Sequence, residues 1–290
     1  MSTPPSDSAM RRIQCRAITK TVASLFQDAC IHLPPDVIAS LKRAGRSEKS
    51  PLGKQTIKSI LNNIAVAGDY LLPVCQDTGT AVVFLELGQD VHITGGDLAA
   101  AINQGVKKGY AEGYLRKSMV HRPFSARKNT GDNTPAVIHT EIVPGNRLRI
   151  CVLPKGGGAE NCSRLTVMSP SLGHEGILEY VLNLVDECGS NACPPLILGI
   201  GIGGTTEQTM LLAKKALLRK TGSHNSDPEI KELEKRILAD VNMLGIGPMG
   251  YGGSVTALAA HIEVFPSHIA SMPVAVNMQC WCSRHKEAVL

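Results

Sequence analysis

Apolar runs in this 290-residue chain are short, and glycine or proline interrupts or ends them. The run Leu196-Ile197-Leu198-Gly199-Ile200-Gly201-Ile202 shows the pattern, and it falls well below the roughly 20 apolar residues that a membrane-spanning helix needs. Buried strands alternating with amphipathic helices are therefore the expected architecture, in a soluble protein with no membrane partner. The opening Met1-Ser2-Thr3-Pro4-Pro5-Ser6-Asp7-Ser8 lacks the basic start and apolar core of a secretory leader. Residues 1–15 bury little and read as a disordered tail, and residues 16–290 as one domain. With 43% hydrophobic residues, that domain can fill a sizeable core.

Ile18, Val22, Leu25, Phe26 and Ala29 recur at helical spacing, as do Ile57, Ile60, Leu61 and Ile64 behind a Ser50-Pro51 helix start. Ala81–Leu85 reads as a buried strand, and Leu98, Ile102, Val106 and Tyr110 as one helix face. Residues 136–143 and 148–153 flank Pro144-Gly145-Asn146 and read as a hairpin. A helix over 174–188, a strand over 196–202, helices over 206–218 and 228–244, and strands over 255–265 and 273–278 follow. Together these give an α+β fold, a mixed sheet packed with helices, with a helical N-terminal part and no internal repeat.

Three of the nine cysteines, Cys75, Cys193 and Cys280, sit at bends marked by glycine or proline, outside the regular elements. Three thiolates meeting at one point would hold a metal or an iron–sulfur cluster with one position open. Cys282, two residues beyond Cys280, could serve in its place. Cys15, Cys30, Cys151 and Cys188 lie on helix or strand faces, as small buried hydrophobes do. Nine cysteines, odd in number and sparse for a secreted scaffold, point to a reducing compartment, the cytoplasm. The net charge of +5 is spread without a basic block, so nucleic acid is not the expected partner.

Three glycine clusters invite a phosphate-loop reading, and none fits. Lys155-Gly156-Gly157-Gly158 lacks the Gly-Lys-Ser/Thr ending. Gly199–Gly204 is either a tight strand-to-helix turn or an anion site built from main-chain N–H groups. Gly245–Gly253 is a loop of close backbone approach.

Cys75-Gln76-Asp77-Thr78-Gly79, Lys128 to Ala136, Lys155 to Gly158, Asn191-Ala192-Cys193-Pro194-Pro195 and Gly245-Ile246-Gly247-Pro248 occur in that order. Together they resemble class I, iron–sulfur fumarate hydratase, and more narrowly the alpha subunit of its two-subunit form, from roughly Ile18 to His285. The resemblance implies an Fe–S hydro-lyase alpha-type domain in which Cys75, Cys193 and Cys280 ligate a [4Fe-4S] cluster, with Cys280 preferred over Cys282. The open iron would act as a Lewis acid in the reversible hydration of fumarate to (S)-malate. It further implies Asp77 as the catalytic proton-transfer group and Gln76, Arg116, Gly157 and Gly158 as substrate contacts. An arginine suits a dicarboxylate because its fork binds a carboxylate through two charge-assisted hydrogen bonds. Cys162 is read as a thiol near the site, Asn129, Thr130 and Asp132 as loop-shaping, and His139, His174 and His261 as structural.

Single-chain members of that family carry a second domain with further basic substrate contacts and the proposed base, and this sequence lacks it. A beta subunit is therefore the expected partner, in a hetero-oligomer acting on a small C4 dicarboxylate. L-tartrate dehydratase alpha subunits resemble the chain too, although Asn129–Pro135 and Gly156–Asn161 look closer to fumarase. A zinc-bound scaffold using the same thiolates is a further alternative, weakened by the absence of a Cys-x-x-Cys pair.

Overall fold

In the computed structural model, which describes residues 10–290, the N-terminal part forms β1 (Arg11–Gln14), α1 (Cys15–Ile31), α2 (Pro35–Ser47) and α3 (Pro51–Tyr70). Then come β2 (Thr80–Gly88), β3 (Val91–Thr94), α4 (Leu98–Glu112), β4 (Val137–Val143) and β5 (Leu148–Lys155). The short α5 (Gly157–Asn161), β6 (Arg164–Met168), α6 (Gly173–Cys188) and β7 (Leu196–Gly203) follow. The last elements are α7 (Thr206–Ala216), α8 (Pro228–Met243), β8 (Ala257–Phe265), β9 (Met272–Gln279) and β10 (Lys286–Val289). This is the expected α+β class. Among the described residues, no helix is long and apolar enough to cross a membrane.

Two boundaries differ from expectation. The tail expected over residues 1–15 lies outside the described residues up to residue 9, and its remainder is ordered. Arg11–Gln14 pair in parallel with Val91–Thr94, and Ile13 is buried. The single domain expected over 16–290 is divided into two compact units. One comprises the chain through His32, Ala67–Lys155 and Arg284–Leu290, and the other Leu33–Val66 and Gly156–Ser283.

The first unit contains a sheet in the order β10-β5-β2-β4, with α1 and α4 packed together beside it. Ile18, Val22 and Phe26 of α1 meet Ile102, Val106 and Tyr110 of α4, and both sets join Val83, Leu85, Ile150 and Val152 from the strands. Full burial of Phe26 alone is worth about 1.5–3 kcal/mol. The expected hairpin of β4 and β5 does not form. β2 lies between them, parallel to β4 and antiparallel to β5. The Pro144-Gly145-Asn146 turn instead passes over the end of β2, where the Gly88 N–H donates to Arg147 O at 2.8 Å. A Cβ at Gly88 would stand 2.4 Å from the Gly145 carbonyl, so glycine is what lets the connection cross there.

The second unit has a sheet in the order β6-β9-β7-β8, packed with α6, α7 and α8. Val181, Val185, Ile200, Ile237, Val241, Ile262 and Val276 form its core. Two glycines of the Gly199–Gly204 cluster, Gly199 and Gly201, have a packing role. They lie in β7, where a Cβ on either would come within 2.1 Å of a carbonyl of α7, of Ala213 or of Thr209. These two glycines serve helix-on-strand approach.

Glu48, 1% exposed, fastens α2 and α3 of this unit to the loop before β8. Its carboxylate accepts from the main-chain N–H groups of Lys49 (2.7 Å), Ser50 (2.8 Å), Ser254 (2.8 Å) and Val255 (2.9 Å). Burial alone would raise its pKa, but the donors from Ser254, Ser50, Val255 and Lys49 outweigh it and hold the carboxyl below the usual glutamate range. A carboxylate so depressed stabilises the fold above its unfolded pKa, and that stability is lost as the pH falls through the folded value. Glu48→Gln is expected to cost roughly 1.5–3 kcal/mol in urea unfolding at neutral pH. The loss of stability as the pH falls below about 5 should be shallower in the variant than in the native chain. Identical pH slopes would remove Glu48 as the acid-sensitive clamp.

Candidate active site

The eight residues singled out by sequence fall four in each unit: Cys75, Gln76, Asp77 and Arg116 in the first, and Gly157, Gly158, Cys193 and Cys280 in the second.

In the first unit, Cys75 to Gly79 form the loop between α3 and β2. The Gly79 N–H donates to Asp77 Oδ1 at 3.0 Å, which closes the turn. Side chains buried around the loop hold its main chain. Tyr110 Oη donates to the carbonyls of Thr78 (2.9 Å) and Gly79 (3.1 Å). Asn133 Nδ2 donates to Gly79 O at 3.1 Å, while Asn133 Oδ1 accepts from the Ser118 N–H at 2.7 Å. Arg284, 1% exposed, donates to the Asp77 carbonyl. Thr78 Oγ1 donates to Arg116 O at 2.7 Å, so the loop that carries Asp77 also anchors the segment that carries Arg116. Gln76 and Arg116 are exposed, and Cys75 and Asp77 half-buried.

Beneath the loop the electrostatics favour neutral groups. Burial pushes the Cys30 thiol up to about 11, with Arg284 opposing and Cys75 and Asp77 adding to the rise. Burial also lifts Tyr110 well above the ordinary phenol value, so its hydroxyl remains a hydrogen-bond donor. Asn129, Thr130 and Asp132 behave as loop-shaping residues. The Gly131 N–H donates to Asn129 Oδ1, and both the hydroxyl and the N–H of Thr134 donate to Asp132 Oδ1, which lowers the Asp132 pKa.

In the second unit, Cys193 follows the turn Gly189–Ala192 with φ 55° and ψ 68°. Left-handed backbone costs a non-glycine residue about 1–3 kcal/mol and tends to persist where function requires it. The Cys193 carbonyl accepts from the Trp281 N–H at 3.2 Å, which joins the Cys193 bend to the chain just past Cys280. Gly157 and Gly158 open α5, which packs against the same turn, and both are exposed. Asn277, fully buried on β9, donates to Glu160 Oε2 of α5 at 3.3 Å. Gln279, also fully buried, donates to Cys282 O at 3.1 Å and approaches Cys280 Sγ at 3.6 Å. Cys193, Cys280, Gly157 and Gly158 are thus gathered on one set of connected turns.

Burial separates the cysteines. Cys193 is exposed and Cys75 and Cys280 are half-buried, whereas Cys15, Cys30, Cys151, Cys162, Cys188 and Cys282 are buried. Cys282, 1% exposed, therefore differs sharply from Cys280. Cys162 packs against Cys188, its thiol donating to Cys188 O at 3.2 Å, and burial followed by the Cys162 contact pushes Cys188 up to about 12. Among the described residues, no three or more His, Cys, Asp or Glu side chains are drawn together as a metal-ligand group.

The three histidines have structural surroundings. His139 stacks on Phe84, His174 pairs with Glu229 at 2.9 Å, and His261 places Nδ1 3.2 Å from Ala216 O. Burial, with Arg219 adding, drives His261 down to about 4, so it is neutral at physiological pH. Tyr110, Asn133 and Arg284 are the contributors that sequence reasoning did not assign. The one sequence signal available was the density of polar residues around positions 129–134 and 283–285.

The model of the family described as fumarate hydratase (Fumerase) matches residues 19–289. A Methanocaldococcus jannaschii protein provisionally named L(+)-tartrate dehydratase subunit alpha is 42% identical over 272 residues, covering 92% of this chain and 95% of that protein. The L(+)-tartrate dehydratase subunit alpha of Escherichia coli K12 is 33% identical over 269 residues, covering 92% and 88%. The Shigella sonnei protein of the same name gives the same figures. With the family match spanning nearly all of the described residues, the chain belongs to the fumarate hydratase (Fumerase) family of hydro-lyases.

Proposed function

We propose that this chain is the cluster-bearing subunit of a two-chain hydro-lyase that interconverts fumarate and (S)-malate, with Cys75, Cys193 and Cys280 as the ligands of a [4Fe-4S] cluster. The observation that carries the reading is the division among the nine thiols: the three named are the ones not buried. A buried thiol resists ionisation, as Cys30 and Cys188 do, whereas a ligand must be a thiolate within reach of its metal. The donor set therefore fits the group in chemistry, three soft sulfurs for four irons. When bound, the cluster would supply an iron short of a protein ligand, a Lewis acid toward substrate oxygen.

The chain's own residues have separate tasks. Asp77, held by the Gly79 turn and by Arg284 at its carbonyl, carries the proton at the substrate hydroxyl. Arg116 grips one carboxylate and Gln76 orients the substrate beside it. The N–H groups of Gly157 and Gly158 receive the other carboxylate. The second chain supplies the remaining basic contacts and the partner base, in keeping with relatives that are named as alpha subunits.

A second reading, L-tartrate dehydration to oxaloacetate, is favoured by the names of those same relatives. Both reactions remove water from a C4 2-hydroxydicarboxylate and would use the same residues. Anaerobically reconstituted chain mixed with its beta-type partner is to be assayed on fumarate, (S)-malate and both tartrate enantiomers. A kcat/KM for malate above that for either tartrate supports the first reading, and the reverse order establishes the second.

Anaerobic reconstitution of the native chain is expected to give a brown protein with about four irons and four sulfides. Cys75→Ala, Cys193→Ala and Cys280→Ala should each lose most of that iron, while Cys282→Ala keeps it. Equal iron in all four variants, or a colourless zinc protein, would end the assignment. Asp77→Asn is expected to retain iron and lower kcat by about 10²–10⁴ in the paired enzyme, with a much smaller change in KM. Unchanged kcat would move the proton-transfer role elsewhere.

A further inference from the structure

One projection of the first unit carries cations without a compensating acid. Between α4 and β4 of the first unit the chain makes a narrow antiparallel arm. Val120 and Asn129 bridge, His121 N–H donates to Lys128 O at 2.7 Å, and Thr130 N–H donates to Met119 O at 2.9 Å. Its base is fixed by Ser118 to Asn133, by Arg116 O to Thr78 and by the Thr80 hydroxyl to Met119 Sδ. Its tip is fixed as well, through Ser125 N–H to Arg122 O and Arg127 Nη1 to Pro123 O at 2.7 Å.

That shaped tip holds Phe124 at 89% exposure, whereas Phe26 and Phe84 are buried in the core. From residue 113 to residue 131 the chain carries Arg116, Lys117, Arg122, Arg127 and Lys128 and no Asp or Glu. Arg122 and Arg127, which flank Phe124, are exposed and in no ion pair among the described residues. An exposed aromatic between two arginines on an ordered arm is the composition of a protein–protein anchor. One aromatic and two cations at a tip do not make the tracking groove with successive stacking rings that single-stranded nucleic acid requires.

We propose that this arm docks the second subunit, with Phe124 entering an apolar socket rimmed by carboxylates that pair with Arg122 and Arg127. The inference rests on the two-chain reading above and names the surface of this chain that serves it. Because the arm's base is bonded to Thr78 and Gly79 of the Cys75 loop, the docked chain is delivered beside the residues assigned to substrate.

The test uses the full chain and the beta-type chain from the same organism, with affinity measured by calorimetry at about 0.15 M and about 0.5 M salt. Phe124→Ser and the double variant Arg122→Glu/Arg127→Glu are each expected to weaken binding by at least about 30-fold. The double variant should also lose most of the native salt dependence. Phe124→Trp and Arg122→Lys/Arg127→Lys should bind within about 5-fold of native. All variants should keep native reconstituted iron and near-native thermal unfolding, since the substituted side chains are exposed and the one bond lost, from Arg127 to the Pro123 carbonyl, is confined to the tip and exposed. Native-like affinity in Phe124→Ser and in the double glutamate variant overturns the proposal while leaving the two-chain reading intact. Failure of the native chains to associate overturns both. The proposal also falls if the substitutions instead dissociate a dimer of this chain alone, or abolish binding to a fluorescent single-stranded oligonucleotide.

Discussion

A chain that leaves α3 at Tyr70 and enters β2 at Thr80 must find partners for the carbonyls of the loop between them. A buried carbonyl left unpaired costs about 1–3 kcal/mol. The first unit meets the requirement with side chains drawn from distant points in the sequence. Tyr110 comes from the end of α4, Asn133 from the foot of the arm and Arg284 from the return to β10. The position of the Cys75 loop therefore depends on α4, the arm and the C-terminal strand all being in place. The apolar packing of α1, α4 and the sheet supplies the bulk of the stability, while these few polar contacts decide where the loop stands.

The second unit solves the same problem with an anion. Its connecting segments converge on Glu48, which collects main-chain N–H groups much as Tyr110 and Asn133 deal with carbonyls on the other unit. The two solutions differ in their response to acid. Tyr110 and Asn133 hold without ionising, whereas Glu48 must be charged to accept from every donor around it. Buried carboxylates are tolerated when their hydrogen bonds are complete, and the lowered Glu48 pKa shows the donors prevailing over burial.

The same distinction explains what could be read from the sequence. Helices α1, α3, α4, α6, α7 and α8 announce themselves because the apolar period of a surface helix survives any tertiary context. The longer strands were legible, the short β1, β3, β6 and β10 were not, and neither were strand neighbours. Residues 136–153 have the alternation and turn of a hairpin, yet nothing local records that β2 occupies the space between. α2 was not read from the sequence, although Pro35 stands at its first helical position, where proline starts a helix. Cys75, Cys193 and Cys280 stand out by their bends. Glu48, Asn133 and Arg284 do not, since a lone polar residue in sequence is by default a surface residue and only the fold reveals its burial.

The clamps on the Cys75 loop reach main-chain atoms: the carbonyls of Asp77, Thr78, Gly79 and Arg116. Within the loop, Asp77 and Thr78 turn their own side chains to holding it, through the Gly79 N–H and the Arg116 carbonyl. Fixing backbone in this way would separate the task of holding the loop from the choice of substrate under the proposed function, because Gln76 and Arg116, the substrate contacts proposed above, keep exposed side chains on which none of these clamps depends. Substrate preference can then change by substitution at exposed positions at little cost in stability, where surface changes are usually worth within about 0.5 kcal/mol. A family described by fumarate hydration and relatives named for tartrate dehydration are compatible within such a frame. Malate and tartrate each offer two carboxylates and a hydroxyl to be removed, and tartrate adds a second hydroxyl on the neighbouring carbon.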